Sequence, residues 1–130
     1  MHNEIKLSFS DYQYYINYAK KTVACKVSCR LHMPNNVGDI YNLMRYALDL
    51  PYIHTFTQRA TAHLNPTDKF DDEVGVKIAR AKAESAAYKK VEKALNMLLR
   101  TMSEVNIQTL SFTHKANNVI AHNDEYIASF

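Results

Sequence analysis

The chain predicts an α+β fold: an antiparallel sheet in the order β-β-α-β-α, one long helix in the C-terminal half, and a C-terminal extension. Three observations carry that expectation. Val23, Cys25, Val27, Cys29, Leu31 and Met33 alternate strictly with Ala24, Lys26, Ser28, Arg30 and His32, the period of a half-buried strand. From Val74 onward the apolar residues recur at threes and fours instead, the period of a helix face. Two Gly and three Pro in 130 residues favour long regular elements with short joints.

The length is that of a single domain, residues 1–130, large enough to bury a core without disulfides or metal. Hydrophobic residues at 47% and charged residues at 22% are ordinary for a globular protein and unlike a disordered one. No apolar run approaches the roughly 20 residues that span a bilayer. Met1 to Phe9 has no basic stretch followed by an apolar core, so no signal peptide is expected. With Cys25 and Cys29 as the only cysteines, a reducing compartment is the expectation. A formal charge of +3 permits a phosphate-bearing partner without demanding one.

Taken in order, Tyr12, Tyr14, Ile16 and Tyr18 alternate, and Ala19-Lys20-Lys21 reads as the turn of a hairpin into the Val23–Met33 strand. Tyr14 and Tyr18 also fit a short helix from Ser10; Tyr and Ile propensity favours the strand. Pro34-Asn35-Asn36 ends the second strand. Ile40, Leu43, Met44, Ala47 and Leu48 place a helix over Val37 to Leu50, stopped by Pro51. His54 to Leu64 is a further strand, with Phe56, Ala60, Ala62 and Leu64 on one face and Thr55, Thr57, Arg59, Thr61 and His63 on the other. Asn65-Pro66-Thr67-Asp68 breaks it.

The long helix starts near Asp71, its N-cap, with Phe70 docked on the core and acids filling the first turn. Its apolar stripe reads Val74, Ile78, Ala81, Ser85, Tyr88, Val91, Leu95, Leu98, Met102, close to a heptad. Unbroken to Met102 it is about 48 Å long. A domain of this size has a radius of gyration near ~14 Å. The helix is therefore expected either to break or to pack its apolar end on another subunit, and a homo-oligomer is predicted. Ser103 reads as the cap of a further helix and Asn117-Asn118 as a turn.

Little catalytic chemistry is legible. Cys25 and Cys29 share a strand face about 13 Å apart, too far for one zinc or a disulfide, so buried thiols are expected. The six histidines form no HxH or HxxxH pair, and no GxGxxG, GxxxxGKS, GxSxG or HExxH occurs. No cofactor, metal or enzymatic activity is expected. Lys77, Arg80, Lys82, Lys89, Lys90, Lys93 and Arg100 on the long helix, set against Glu84 and Glu92, read as a solvated face or a phosphate footprint. Gly75 in its first turn leaves room for close approach by the chain's own strand or by a ligand.

The run from Arg59 to Ala83 resembles a pattern of small phage and prophage proteins: a strand, Pro-x-Asp-x-Phe-Asp, then Gly-x-x-Ile/Leu-Ala and a basic residue before Ala. Here it is carried by Pro66, Asp68, Phe70, Asp71, Gly75, Ile78, Ala79, Arg80 and Ala81. The match covers about a fifth of the chain. Where the pattern often has Ala-x-Cys before the proline, this chain has Ala62-His63-Leu64, so any role of that cysteine is absent. Some proteins of this build are counter-defence proteins, among them the anti-Thoeris sponges, oligomers that sequester cyclic nucleotide signals without cleaving them. The resemblance implies a phage-encoded binding protein in the cytoplasm of an infected bacterium, with a small nucleotide signal as partner and no membrane. A host protein or nucleic acid bound through the basic helix is the alternative. Phosphate donors would be Arg59, Lys77, Arg80 and Lys82, converging at the Pro66–Lys82 joint; stacking rings would be Phe56, Phe70 or Phe112.

Overall fold

The computed structural model describes residues 4–65 and 71–130. The elements follow the predicted order: β1 (Lys6–Asn17), β2 (Thr22–His32), α1 (Asn35–Leu48), β3 (Thr55–His63) and α2 (Asp72–Ala128). The three strands form one antiparallel sheet in the order β1-β2-β3, with β2 at the centre. The chain forms two compact units, Met1–Leu95 and Asn96–Phe130.

In the first unit, β2 buries Val23, Cys25, Val27, Cys29 and Leu31 on the face that its alternation assigns. Burial pushes both thiols above their ordinary pKa, as a low-dielectric setting disfavours thiolate. On β1 the parity changes midway. Leu7 and Phe9 pack on the core, and so do Tyr12 and Tyr14. A bulge reconciles them: three residue steps from Ser10 to Gln13 face two from Ser28 to Lys26, with Asp11 at φ 54° taking the extra place. Asp is among the residues that tolerate this left-handed conformation.

α2 starts as its sequence predicts. The Asp71 carboxylate accepts from the backbone N–H of Glu73 at 3.0 Å and of Val74 at 3.3 Å, which caps the helix. The turn at Pro66 to Asp68 and the docking of Phe70 lie outside the described residues.

The buried stripe of α2 departs from the predicted one over its first turns and agrees with it further on, at Val91 and Leu98. Gly75, Ala79, Ala83 and Ala87, four apart, face the sheet, while Val74, Ile78 and Tyr88 are exposed. The three alanines join Val23, Cys25, Val27, Cys29 and Ala62 in one buried cluster. Small residues win this face because they let the helix approach the sheet closely; Val74 and Ile78 are too bulky for it. At Gly75 the approach is closest, since an added Cβ would stand 2.6 Å from Cγ2 of Val23, itself fully buried. Gly75 thus makes room for the chain's own strand.

α1 follows Pro34 and ends at Asp49 in the left-handed conformation. Its Tyr41 is fully buried and donates its hydroxyl to the Pro51 carbonyl at 2.6 Å, closing the loop into β3.

In the second unit α2 continues through Ser103 and Asn117-Asn118, so neither starts nor ends an element. After Gly75 the chain has no further Gly and after Pro66 no further Pro, so nothing there breaks a helix. Its polar side chains are accommodated locally: Thr101 and Thr113 bond back to the carbonyls of Met97 at 3.2 Å and Thr109 at 2.9 Å.

Gly75→Ala is expected to destabilise the fold by about 1–3 kcal/mol, the usual cost of overpacking a rigid contact. Helix propensity alone would give a gain of up to about 1 kcal/mol. Denaturant unfolding of the two proteins distinguishes these signs.

Candidate binding face

α2 covers one face of the sheet, and the strand register fixes what the other face presents. Across the three strands its rows are Lys6 and His32; Ser8, Arg30 and Thr55; Ser10, Ser28 and Thr57; Gln13, Lys26 and Arg59; Tyr15, Ala24 and Thr61; Asn17, Thr22 and His63. These rows hold Lys6, Lys26, Arg30 and Arg59, and a carboxylate stands beside them at Asp11, exposed in the bulge between Ser10 and Gln13. Hydroxyls and amides fill most of the remaining places, and Tyr15 stands 55% exposed.

Lys26 and Arg59 are direct cross-strand partners at the middle of this face. Like charges directly opposite are destabilising in a sheet. Among the described residues no carboxylate pairs with Lys26, Arg30 or Arg59, as the one salt bridge joins Arg80 to Glu84. Two shallow clefts adjoin the face. One of about 400 Å³ is lined by Ser10, Ser28, Arg30, Thr55 and Thr57 among others. Another of about 430 Å³ lies toward α1, where Arg30, His32, Asp39, Asn42 and His54 contribute to the wall. His54 Nε2 sits 2.9 Å from Asn42 Oδ1, and His32 Nε2 3.1 Å from Ser8 Oγ. Among the described residues no three His, Cys, Asp or Glu gather to hold a metal.

The residues singled out by sequence do not form one constellation. Arg59 lies on the open face, whereas Lys77, Arg80 and Lys82 belong to α2 on the covered side. Lys77 and Lys82 are exposed, and Lys82 Nζ donates to the Thr61 carbonyl of the outer strand β3 at 3.5 Å. Phe56 packs against the core, and the Lys90 ammonium stands 4.5 Å from its ring centroid, so its ring is already engaged. Phe112 is 70% exposed in the second unit, and Phe70 lies outside the described residues.

Arg80 is occupied within the fold. Its Nε donates to Glu84 Oε1 at 3.1 Å, and its guanidinium stacks 4.3 Å over the Tyr12 ring. Tyr12 donates its hydroxyl to the same Glu84 oxygen at 2.5 Å. This triad ties β1 to α2. Desolvation, and then the bond to Glu84, push the Tyr12 phenol up to about 12. The Tyr12 hydrogen bond, with help from Arg80, holds the Glu84 carboxyl below its ordinary range. Neither group is tuned for proton transfer near neutrality; both are tuned to stay paired. The basic stripe of α2 is thus partly spent on internal contacts, a point that spacing on the helix does not reveal. Lys26 and Arg30 went unnoticed as candidates because each looks like an ordinary solvent-side position; only the β2–β3 register makes them neighbours of Arg59 and Thr55.

No family model matches the chain, and neither does any curated protein or solved structure.

The triad makes stability depend on pH at both ends of the scale. Glu84 has a folded pKa below its unfolded value, so its contribution is present above the unfolded carboxylate pKa and is lost as pH falls through the folded one. Tyr12 has a raised folded pKa, so its contribution is complete below pH 10 and is lost as pH rises toward 12. Tyr12→Phe is expected to flatten both flanks of the stability profile, measured by denaturant unfolding across pH. Unchanged flanks would show that the triad does not carry them.

Proposed function

We propose that this chain is a non-enzymatic binding protein that holds single-stranded nucleic acid across the open face of its sheet. The observation that carries this reading is the Lys26–Arg59 pair: two cations set directly opposite, with Arg30 on the same face and no carboxylate in their rows. A fold gains nothing from that pairing by itself. A row of phosphates relieves it, releasing counterions as each cation is neutralised. The face is shallow and extended, which suits a strand lying along it. Serine and threonine hydroxyls supply further donors to phosphate. Tyr15 offers a ring for one base to stack on. Nucleic acid was the expected alternative partner, with the basic helix as its seat. The internal contacts of Arg80, Lys82 and Lys90 favour the sheet instead.

A second reading keeps the counter-defence role, in which a phage-encoded protein sequesters a cyclic nucleotide signal. What supports it is the cleft of about 400 Å³ on this same face, with Arg30 beside Ser10, Ser28, Thr55 and Thr57. A single nucleotide seated there would meet one guanidinium and several hydroxyls.

Anisotropy of a labelled oligothymidylate tests the first reading. Wild type is expected to bind with an affinity that falls steeply with salt. Lys26→Gln combined with Arg59→Gln is expected to weaken binding at least tenfold, with the slope of log K against log salt reduced by about 1.4, or ~0.7 per lost phosphate contact. The folded state should be no less stable, because a repulsion has been removed. Wild-type affinity and slope in the double variant would overturn the proposal. Binding of a cyclic ADP-ribose-type nucleotide that is insensitive to salt, with none to the oligomer, would favour the second reading.

A further inference from the structure

The second unit is a helix with almost nothing covering it, yet it is not polar. Only Arg100, Glu104, Lys115, Asp124 and Glu125 carry charge between Asn96 and Phe130. Its apolar side chains are widely exposed, among them Val105 at 58%, Phe112 at 70% and Ile127 at 68%.

Their order is regular. Met102, Val105, Thr109, Phe112, Ala116, Val119, Asn123, Tyr126 and Phe130 follow one another at alternating spacings of three and four. Those are the a and d positions of four successive heptads, enough to specify a coiled coil. Ile120 and Ile127 fall at the adjoining e positions and widen the seam. All five charges fall elsewhere: Arg100 at f, Glu104 and Glu125 at c, Lys115 at g, Asp124 at b. Of the larger apolar residues past Met102, Ile107 and Leu110 alone fall outside the seam, at f and b. A seam kept clear of charge over four heptads is the pattern of a helix that pairs with another helix of matching repeat.

We propose that the occupant of this seam is the same segment of a second copy of the chain, lying parallel and in register. The polar seam residues decide the arrangement. In register, Asn123 meets Asn123 and Thr109 meets Thr109, so each polar side chain faces a polar equal. A single Asn at an a position is known to fix parallel register in this way. An antiparallel pairing about the segment's centre stacks a positions against d positions, so Asn123 meets Val105 or Phe112, where its amide has no partner and costs free energy. The area is adequate. Phe112, Tyr126 and Phe130 offer roughly 150–250 Å² each. With the aliphatic residues beside them, a pair removes on the order of 1,200 Å² from water, the lower end of specific interfaces. A dimer joins two copies of the basic sheet face in one molecule, which raises affinity for a long strand through effective concentration. The pairing itself rests on the seam alone and stands whether or not the sheet face binds nucleic acid.

The test uses the full chain with Ala116→Cys. Position 116 is an a site, where equivalent residues of a parallel pair approach within disulfide reach. The native thiols, Cys25 and Cys29, are buried and do not compete. Light scattering of wild type is expected to give a dimer or higher parallel oligomer at micromolar concentration. Mild oxidation of the variant is expected to give a disulfide-linked dimer in high yield. Val105→Asp combined with Phe112→Asp, both on exposed side chains, is expected to give a monomer whose sheet still unfolds cooperatively. A wild-type monomer would overturn the proposal. So would an oligomer that does not crosslink at 116, or one that survives the two aspartates.

Discussion

Close contact between α2 and the sheet is the constraint on which the first unit depends. Gly75, Ala79, Ala83 and Ala87 sit one turn apart and let the helix backbone down onto Val23, Cys25, Val27 and Cys29. Hydrophobic burial is modest per residue there, since alanine has little to bury. Packing density does the rest, because flat small surfaces leave no voids. The choice of face follows from it. A helix committed to this side of a three-stranded sheet leaves the opposite side open along its whole width. The side contacts then fall into two ladders. Asp72, Arg80, Glu84 and Tyr88 reach Tyr18 in the hairpin turn and Tyr12 and Phe9 on β1, while Lys82 and Lys90 reach Thr61 and Phe56 on β3.

That division of labour explains where cations are spent and where they are not. On α2, Arg80, Lys82 and Lys90 are matched with carboxylate, carbonyl and ring in contacts that help tie the helix to the strands, while Lys77, Lys89 and Lys93 are exposed. On the open face Lys26 meets Arg59 across the strands, among hydroxyls and amides, with Asp11 exposed in the bulge of β1. An anion is the partner that the proposed reading gives this face, because cations outnumber acids on it.

Much of the fold was legible in the sequence because strand parity is a local signal. Val23 to Met33 and Thr55 to Leu64 sorted their own faces, and Asp71 announced the cap that its carboxylate makes. Three features were not legible. The start of the α2 stripe was misread because hydrophobic periodicity weighs Val74 and Ile78 above Gly and Ala, whereas close approach rewards the smallest side chains; Val91 and Leu98 further on are buried as predicted. The bulge at Asp11 was invisible because one extra residue changes the parity of a strand without any change of composition. The Lys26–Arg59 pair depends on the register between strands more than thirty residues apart in sequence, set by the hairpin and by α1 between them. Arg59 was noticed for its strand face, but the cations that answer it lie on β2 and β1 and not on the helix. The unbroken course of α2 past Ser103 follows from the absence of Gly and Pro there, a plainer signal than the Asn and Ser residues that suggested turns.

Lysine footprinting by mass spectrometry, with and without a single-stranded oligonucleotide, tests the central claim most directly. Acetylation reports each ammonium separately, and the two faces of the first unit carry different lysines. The account predicts that the oligonucleotide protects Lys26, with Lys6 beside the same face, while Lys77, Lys89 and Lys93 on α2 react as in the free protein. Protection confined to the α2 lysines, with Lys26 unchanged, would contradict it.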